Sequence, residues 1–263
     1  MWAVTAREEG RGFSRFGEIS CPRRRRIPVF QQLVNQPVKH LLPRLIGFGL
    51  FNQAALVALL FLPGTLRFWR GWAFIALNLV LGIFFCVYFY RHDRELLARR
   101  LLRGEKFKEQ KAVMLLMKMV FVAGYLLCGL DNRFGWTQTH LIPVPWWLTA
   151  LALLGYAGCY LLFIPVFTAN RFAASVIQTE PGQTVADRGP YRFVRHPMYS
   201  VSLGLWFWIP LALGSLAALP VCGIVAPLIV WRLLHEEEVL RRDLPGYTEY
   251  CERVPWRLVP RVW

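Results

Sequence analysis

From Pro197 to Trp231 the chain runs 35 residues without a charged side chain. As a single helix this stretch would reach about 52 Å at the usual rise per residue, far more than the roughly 30 Å hydrocarbon core of a bilayer. Folded back on itself it gives two helices, each slightly short of a full crossing. A tight hairpin is therefore expected, turning near Gly214 and Ser215, with local bends at Pro210, Pro220 and Pro227. The polar segments on either side of the run then arrive at the same membrane face.

Four more apolar segments, 45–62, 72–90, 112–130 and 144–169, meet or approach the roughly 20 residues of a helical crossing. Only the third holds a charge, Lys118. The chain is 56% hydrophobic and 18% charged, whereas soluble domains average about 25% charged residues. The expected fold is all-α, a polytopic integral membrane protein of about six transmembrane helices including the C-terminal hairpin at 197–231. Three regions follow. Residues 1–40, with the run Arg23 to Arg26, read as a polar, disordered cytoplasmic lead. Residues 41–169 hold four transmembrane helices, and residues 170–263 the hairpin and a cytoplasmic tail. Segment 93–110 reads as an amphipathic helix on the cytoplasmic surface, with Leu96, Leu97, Leu101 and Leu102 toward lipid. Asn52, Gln53 and Asn78 are expected to form hydrogen bonds between helices.

The loops test this arrangement independently. Arg91, Arg94, Arg99, Arg100, Arg103, Lys106, Lys108 and Lys111 follow the second segment, Arg171, Arg188, Arg192 and Arg195 follow the fourth, and the tail adds six arginines from Arg232 onward. The other side has only Arg67, Arg70 and Arg133, together with Trp69, Trp72, Trp136, Trp146 and Trp147 at the ends of spans. Cytoplasmic loops carry the Lys/Arg excess and indoles anchor at interfaces, so both termini are expected in the cytoplasm. This accounts for the net charge of +15 through topology and anionic lipid. No nucleic-acid-binding motif accompanies the basic segments, and no nucleic-acid partner is expected. The six cysteines show no CxxC spacing and no clustering with histidine, so no metal site is expected.

Two polar stretches flank the hairpin. The first is Arg188-Gly-Pro-Tyr-Arg-Phe-Val-Arg-His-Pro-Met-Tyr199. Pro197 suits the first turn of a helix, which places Arg195 and His196 at the helix entrance beside free backbone N–H groups, an arrangement suited to an anion. Tyr191 and Tyr199 add two phenol rings that are expected to converge with the imidazole on one ligand, and such rings suit a cation. The second stretch is Arg232-Leu-Leu-His-Glu-Glu-Glu-Val-Leu240. Arg232 and Glu236 share one helix face, and three adjacent acids at a membrane boundary point to a cationic ligand or to proton handling. Trp206, Phe207 and Trp208 read as packing or lipid-facing residues.

Gly189-Pro-Tyr-Arg-x-Val-Arg-His-Pro-Met-Tyr199, an apolar hairpin, Arg232-x-x-x-Glu-Glu-x-x-Leu240, Gly246-Tyr-x-x-Tyr250 and Arg257-Leu-Val-Pro260 occur in that order. Together they resemble the isoprenylcysteine carboxyl methyltransferase family and its bacterial phospholipid-methyltransferase relatives, over residues 170–263. The resemblance implies an integral membrane methyltransferase that uses S-adenosylmethionine, with the cofactor held at the cytoplasmic surface. By motif it implies cofactor contacts from Gln178, Val185, Tyr191, His196, Tyr199 and Glu236, and catalytic roles for Arg232 and Glu237. The tripled Glu236, Glu237 and Glu238 leaves the working acid ambiguous by one residue. Glu237→Gln is expected to weaken cofactor binding with little loss of folded protein.

Methyl transfer at a sulfonium needs alignment and exclusion of water more than acid or base chemistry. The chain has no GxGxxG, so a Rossmann-type methyltransferase is not indicated. The acceptor stays open between a lipid or a prenylated small molecule. A carboxylate is already ionised at neutral pH, whereas a phospholipid amine must first lose a proton, with Glu237 or His235 as candidate base. Two rivals share the helical layout: a sterol-type reductase binding NADPH through Arg188, Arg192 and Arg195, and a transporter or scaffold in which the Arg–Glu set is a latch.

Overall fold

The computed structural model describes residues 41–62, 65–102, 108–170 and 184–263, and every regular element among them is a helix. The polar lead at 1–40 and Gln178 lie outside the described residues. In chain order the helices are α1 (Leu41–Phe61), α2 (Trp69–His92), α3 (Arg94–Leu102), α4 (Lys108–Phe134), α5 (Trp136–His140) and α6 (Trp146–Ala169). A single 3-10 turn (Gly189–Arg192) follows, then α7 (Pro197–Leu213), α8 (Leu219–Gly223), α9 (Val225–Asp243) and α10 (Tyr247–Arg253).

Among the described residues, five stretches are long and apolar enough to cross a membrane: Leu41–Phe61, Trp69–His92, Gln110–Phe134, Trp146–Ala169 and Leu219–Asp243, the last joining α8 and α9. Large apolar side chains such as Phe51, Ile83, Leu115 and Leu154 are exposed along them, which lipid favours and water would not. The chain is built as a multi-pass membrane protein. Helix α7 is shorter, at 17 residues or about 26 Å.

The expected hairpin is present. Helix α7 ends at Gly214, whose φ of 72° is a left-handed conformation that glycine adopts without strain. A side chain there would also collide with the Arg70 guanidinium. The chain returns through α9 antiparallel to α7, so that His196, just before α7, meets Glu237 near the end of α9 at 3.3 Å. Helix α7 packs closely on α6 because each contributes a glycine. A Cβ on Gly155 would run into the Trp208 ring, and one on Gly204 would stand 2.7 Å from the Cys159 sulfur. Trp206 meets Phe121 edge-on at 6.0 Å and Phe207 is exposed, as expected of packing and lipid-facing residues.

At the hairpin turn a polar knot ties the elements together. The buried Asp131 carboxylate accepts from the Thr137 backbone N–H at 2.7 Å, from the Thr137 hydroxyl and from the Ser215 hydroxyl at 2.5 Å. The Thr137 hydroxyl in turn accepts from the Leu216 N–H at 3.0 Å. Such a network is stable in a low-dielectric setting only when its members are satisfied. Between helices, Gln53 donates to Asn78 at 2.8 Å and Asn78 donates to Tyr156 at 2.7 Å, linking α1, α2 and α6 as the polar pattern predicted.

One expectation is corrected at the opposite end. Leu96 and Leu97 do not face lipid. They are buried against Phe89, Val166, Phe167 and Tyr191, because this part of α3 folds onto α2 and α6; the side chains of Leu101 and Leu102 lie outside the described residues. Lys118 is exposed on α4, the placement of a snorkelling side chain, and it takes no part in the polar cluster described next.

Candidate active site

The site is assembled where the two ends of the hairpin meet α4 and the C-terminal tail. The entrance to α7 is pinned from below by the tail. The backbone N–H of Arg195 donates to the Trp256 carbonyl at 2.9 Å, that of His196 to the Arg257 carbonyl at 3.0 Å, and the Ser200 hydroxyl to the Leu258 carbonyl at 2.6 Å. These bonds explain the position of the Arg257-Leu-Val-Pro260 motif. They also change the expected anion site, since the N–H groups of Arg195 and His196 are occupied and Pro197 has none.

Glu237 is buried and surrounded by cations. Its Oε1 lies 2.9 Å from Arg195 Nε and 3.3 Å from His196 Nε2. Its Oε2 lies 3.2 Å from Arg257 Nε and 3.7 Å from Arg241 Nη2. A carboxylate only accepts, so His196 Nε2 carries the hydrogen in this pair. Both oxygens being engaged, Glu237 ties α7, α9 and the tail into one unit. Against the expectation that Glu237→Gln spares the fold, neutralising this carboxyl would leave the Arg195 and Arg257 guanidiniums without their shared partner.

Glu236, one residue earlier, points elsewhere. It is half-buried and accepts from the Tyr199 hydroxyl at 2.6 Å. Arg232 Nε donates to the same hydroxyl at 3.2 Å, and Arg232 Nη1 donates to Gln110 Oε1 at 2.8 Å. Arg232, Tyr199 and Gln110 are all buried. Glu238 turns outward, its side chain 79% exposed, with His235 Nδ1 3.9 Å from it. The three acids thus have three environments, set by the 100° step of a helix: one beside Tyr199 and Arg232, one in the cation cluster, one outward.

The two expected phenols do not both reach His196. Tyr199 does, its ring stacked on the imidazole at 5.8 Å. Tyr191 is buried in the cluster with Leu96 and Phe167, and Asn170 Nδ2 approaches its hydroxyl at 3.4 Å. The second phenol at His196 is Tyr247, whose hydroxyl is 3.4 Å from Nε2. Burial first, and then the negative charge of Glu237, push the Tyr247 phenol well up, so it stays protonated. Tyr250 donates to the Tyr191 carbonyl at 2.7 Å, and Val185 packs on Leu244, Tyr247 and Tyr250, which brings the segment before the 3-10 turn against α10.

Of the residues singled out from the sequence, His196, Tyr199, Arg232, Glu236 and Glu237 converge, with Val185 and Tyr191 held one layer away. Sequence reasoning missed Gln110 and the roles of Arg257 and Tyr247. The tyrosine was visible only as part of a spaced motif, and Gln110 only as a lone uncharged polar residue between Lys108 and Lys111. Among the described residues no group of three or more His, Cys, Asp or Glu side chains stands together as a metal-binding set.

Three mammalian relatives are similar to this chain. The protein-S-isoprenylcysteine O-methyltransferases of Rattus norvegicus and Mus musculus are each 34% identical to it over 137 residues, 48% of this chain and 45% of theirs. That of Homo sapiens is 32% identical over 146 residues, 51% of this chain and 48% of its own. The chain thus matches about half the length of these curated relatives. Residues 149–241, which hold His196, Tyr199, Arg232, Glu236 and Glu237, match the model of the isoprenylcysteine carboxyl methyltransferase (ICMT) family.

Proposed function

We propose that this chain is an integral membrane methyltransferase that uses S-adenosylmethionine to methylate a lipidated acceptor at the cytoplasmic face. The observation that carries the reading is the convergence of Tyr199, Arg232 and Glu236 from both legs of the hairpin, on the segment that matches the family model. When bound, S-adenosylmethionine supplies a methyl group on a sulfonium; an acceptor oxygen or nitrogen takes the carbon as the carbon–sulfur bond breaks and its electron pair stays on sulfur. The donor set fits this molecule. Aromatic faces at Tyr199 and Tyr247 suit a sulfonium, and the half-buried Glu236 carboxylate suits an amino group. His196, the more distant Tyr191 and Val185, and Gln178 would belong to the same proposed set of residues that hold it.

Arg232 is the acceptor-binding residue in this reading, with a guanidinium fixed by two hydrogen bonds before any ligand arrives. Preorganisation of that kind is where alignment of two reactants gains most. Glu237 is assigned to positioning: it holds the α7 entrance and the tail in register. An acid whose oxygens are engaged by three arginines and by the His196 ring is a poor proton acceptor, which favours a carboxylate acceptor over a phospholipid amine. The names of the relatives point the same way.

The reaction is tested with radiolabelled S-adenosylmethionine, purified protein in detergent, and two acceptors, N-acetyl-S-farnesylcysteine and phosphatidylethanolamine. Label is expected in the first. Glu236→Gln is expected to weaken S-adenosylmethionine binding about tenfold, the loss of one charged hydrogen bond. No label in either acceptor, with no binding of S-adenosylmethionine, would return the chain to the reductase or transporter readings. Orientation is tested with a membrane-impermeant maleimide on whole cells. Cysteine placed at the exposed Ile142 is expected to label from outside, and cysteine at the exposed Glu252 only after permeabilisation. The reverse pattern would place the site outside.

A further inference from the structure

Gln110 opens the apolar stretch of α4 at the membrane boundary and is fully buried, at 0% exposure. Arg232 has only donors, so the hydrogen bond from its Nη1 fixes the amide with Oε1 toward Arg232 and Nε2 on the other side. That Nε2 has no hydrogen-bond partner among the described residues. Buried polar groups are nearly always satisfied, and an exception calls for a missing partner or a role. A buried amide N–H2 without an acceptor is costly, and a leucine or methionine would fill the space without that cost. The missing partner must accept hydrogen bonds, and it must sit beside Arg232.

Building on the reading above, we infer that Gln110 is an acceptor-binding residue. Its Nε2 donates to an oxygen of the methyl acceptor's anionic headgroup, so that Gln110 and Arg232 form a paired set of donors from α4 and α9. No covalent step is assigned to it. The pairing selects for an oxygen-rich, anionic headgroup and against an ammonium, which has only hydrogens to offer. It also makes the membrane-boundary turn of α4, outside the segment 149–241 that matches the family model, part of the acceptor site.

The test uses the full chain and two variants. Gln110→Glu keeps an oxygen for Arg232 and removes the donor; Gln110→Met removes both and adds no charge. Each is measured for binding of S-adenosylmethionine, for binding of N-acetyl-S-farnesylcysteine in the presence of S-adenosylhomocysteine, and for steady-state methyl transfer. Both variants are expected to bind S-adenosylmethionine as the parent does, and for the farnesylcysteine probe to lose about tenfold or more in affinity with a matching rise in KM. Parent-like acceptor affinity in Gln110→Glu would overturn the inference. So would a loss confined to Gln110→Glu with Gln110→Met unaffected, since that would be charge repulsion and not a lost donor. If Gln110→Met fails to fold, Gln110→Leu, which is also uncharged and lacks the donor, takes its place in the same comparison. Absence of methyl transfer and of S-adenosylmethionine binding in the parent chain would overturn the methyltransferase reading, and this role with it. Transfer by the parent with unchanged variants would remove Gln110 alone.

Discussion

Glu237→Ala is expected to cost about 3–5 kcal/mol of stability, the usual penalty for removing one partner of a buried ion pair. The loss is not chiefly of attraction. Arg195 and His196 are buried and meet Glu237 on one oxygen, while Arg257 meets it on the other; without it these groups face one another in a region of low dielectric. The cost should appear as a lowered midpoint of thermal unfolding in detergent, together with protease sensitivity at the tail that Glu237 holds against α7. Glu238→Ala, one residue away and outward-facing, is the control and should leave the midpoint unchanged. Equal midpoints for the two variants would show that the cation cluster contributes nothing, and the positioning role of Glu237 would fall.

Arg232→Lys is expected to reduce methyl transfer about 100-fold while S-adenosylmethionine binding stays within a few-fold of the parent. Removing one preorganised donor from a reacting centre costs about this much. A lysine keeps the charge but not the geometry: it presents one flexible ammonium where the guanidinium reaches Tyr199 through Nε and Gln110 through Nη1 at once. The two side chains are not interchangeable at a site of this kind. The measurement is kcat/KM for the acceptor beside the dissociation constant for S-adenosylmethionine. Retained kcat/KM would mean that charge alone suffices and that the fixed fork is incidental.

The parts of this architecture that sequence could foretell rest on long-range patterns of polarity. Spans, hairpin and turn follow from where charge is absent and where Gly214 sits, because a bilayer imposes helix and length on any apolar run. The meeting of His196 with the Glu236 and Glu237 pair followed from the hairpin alone. What escaped depended on side-chain direction. Tyr191 and Tyr247 are both tyrosines in motif-bearing segments, yet the first turns into the α2, α3 and α6 core and the second to His196. Leu96 and Leu97 carry an amphipathic pattern that reads equally as lipid-facing or protein-facing. Gln110 had no pattern at all, since a single contact 122 residues apart in the chain leaves no local trace.

The knot at Asp131, Thr137 and Ser215 lies at the other end of the hairpin from the chemistry, yet it bears on which acid does what. Glu236, Glu237 and Glu238 are chemically identical, and only their angular position on α9 distinguishes them. That angle is counted from the turn, and Ser215 is where the count begins, fastened to Asp131. A helix advances about 100° for each residue, so one residue gained or lost between Ser215 and Arg232 would bring a neighbouring acid toward Tyr199 and turn Arg232 from Gln110. In this protein the spacing between a tether and a charge, counted in residues, works as an address.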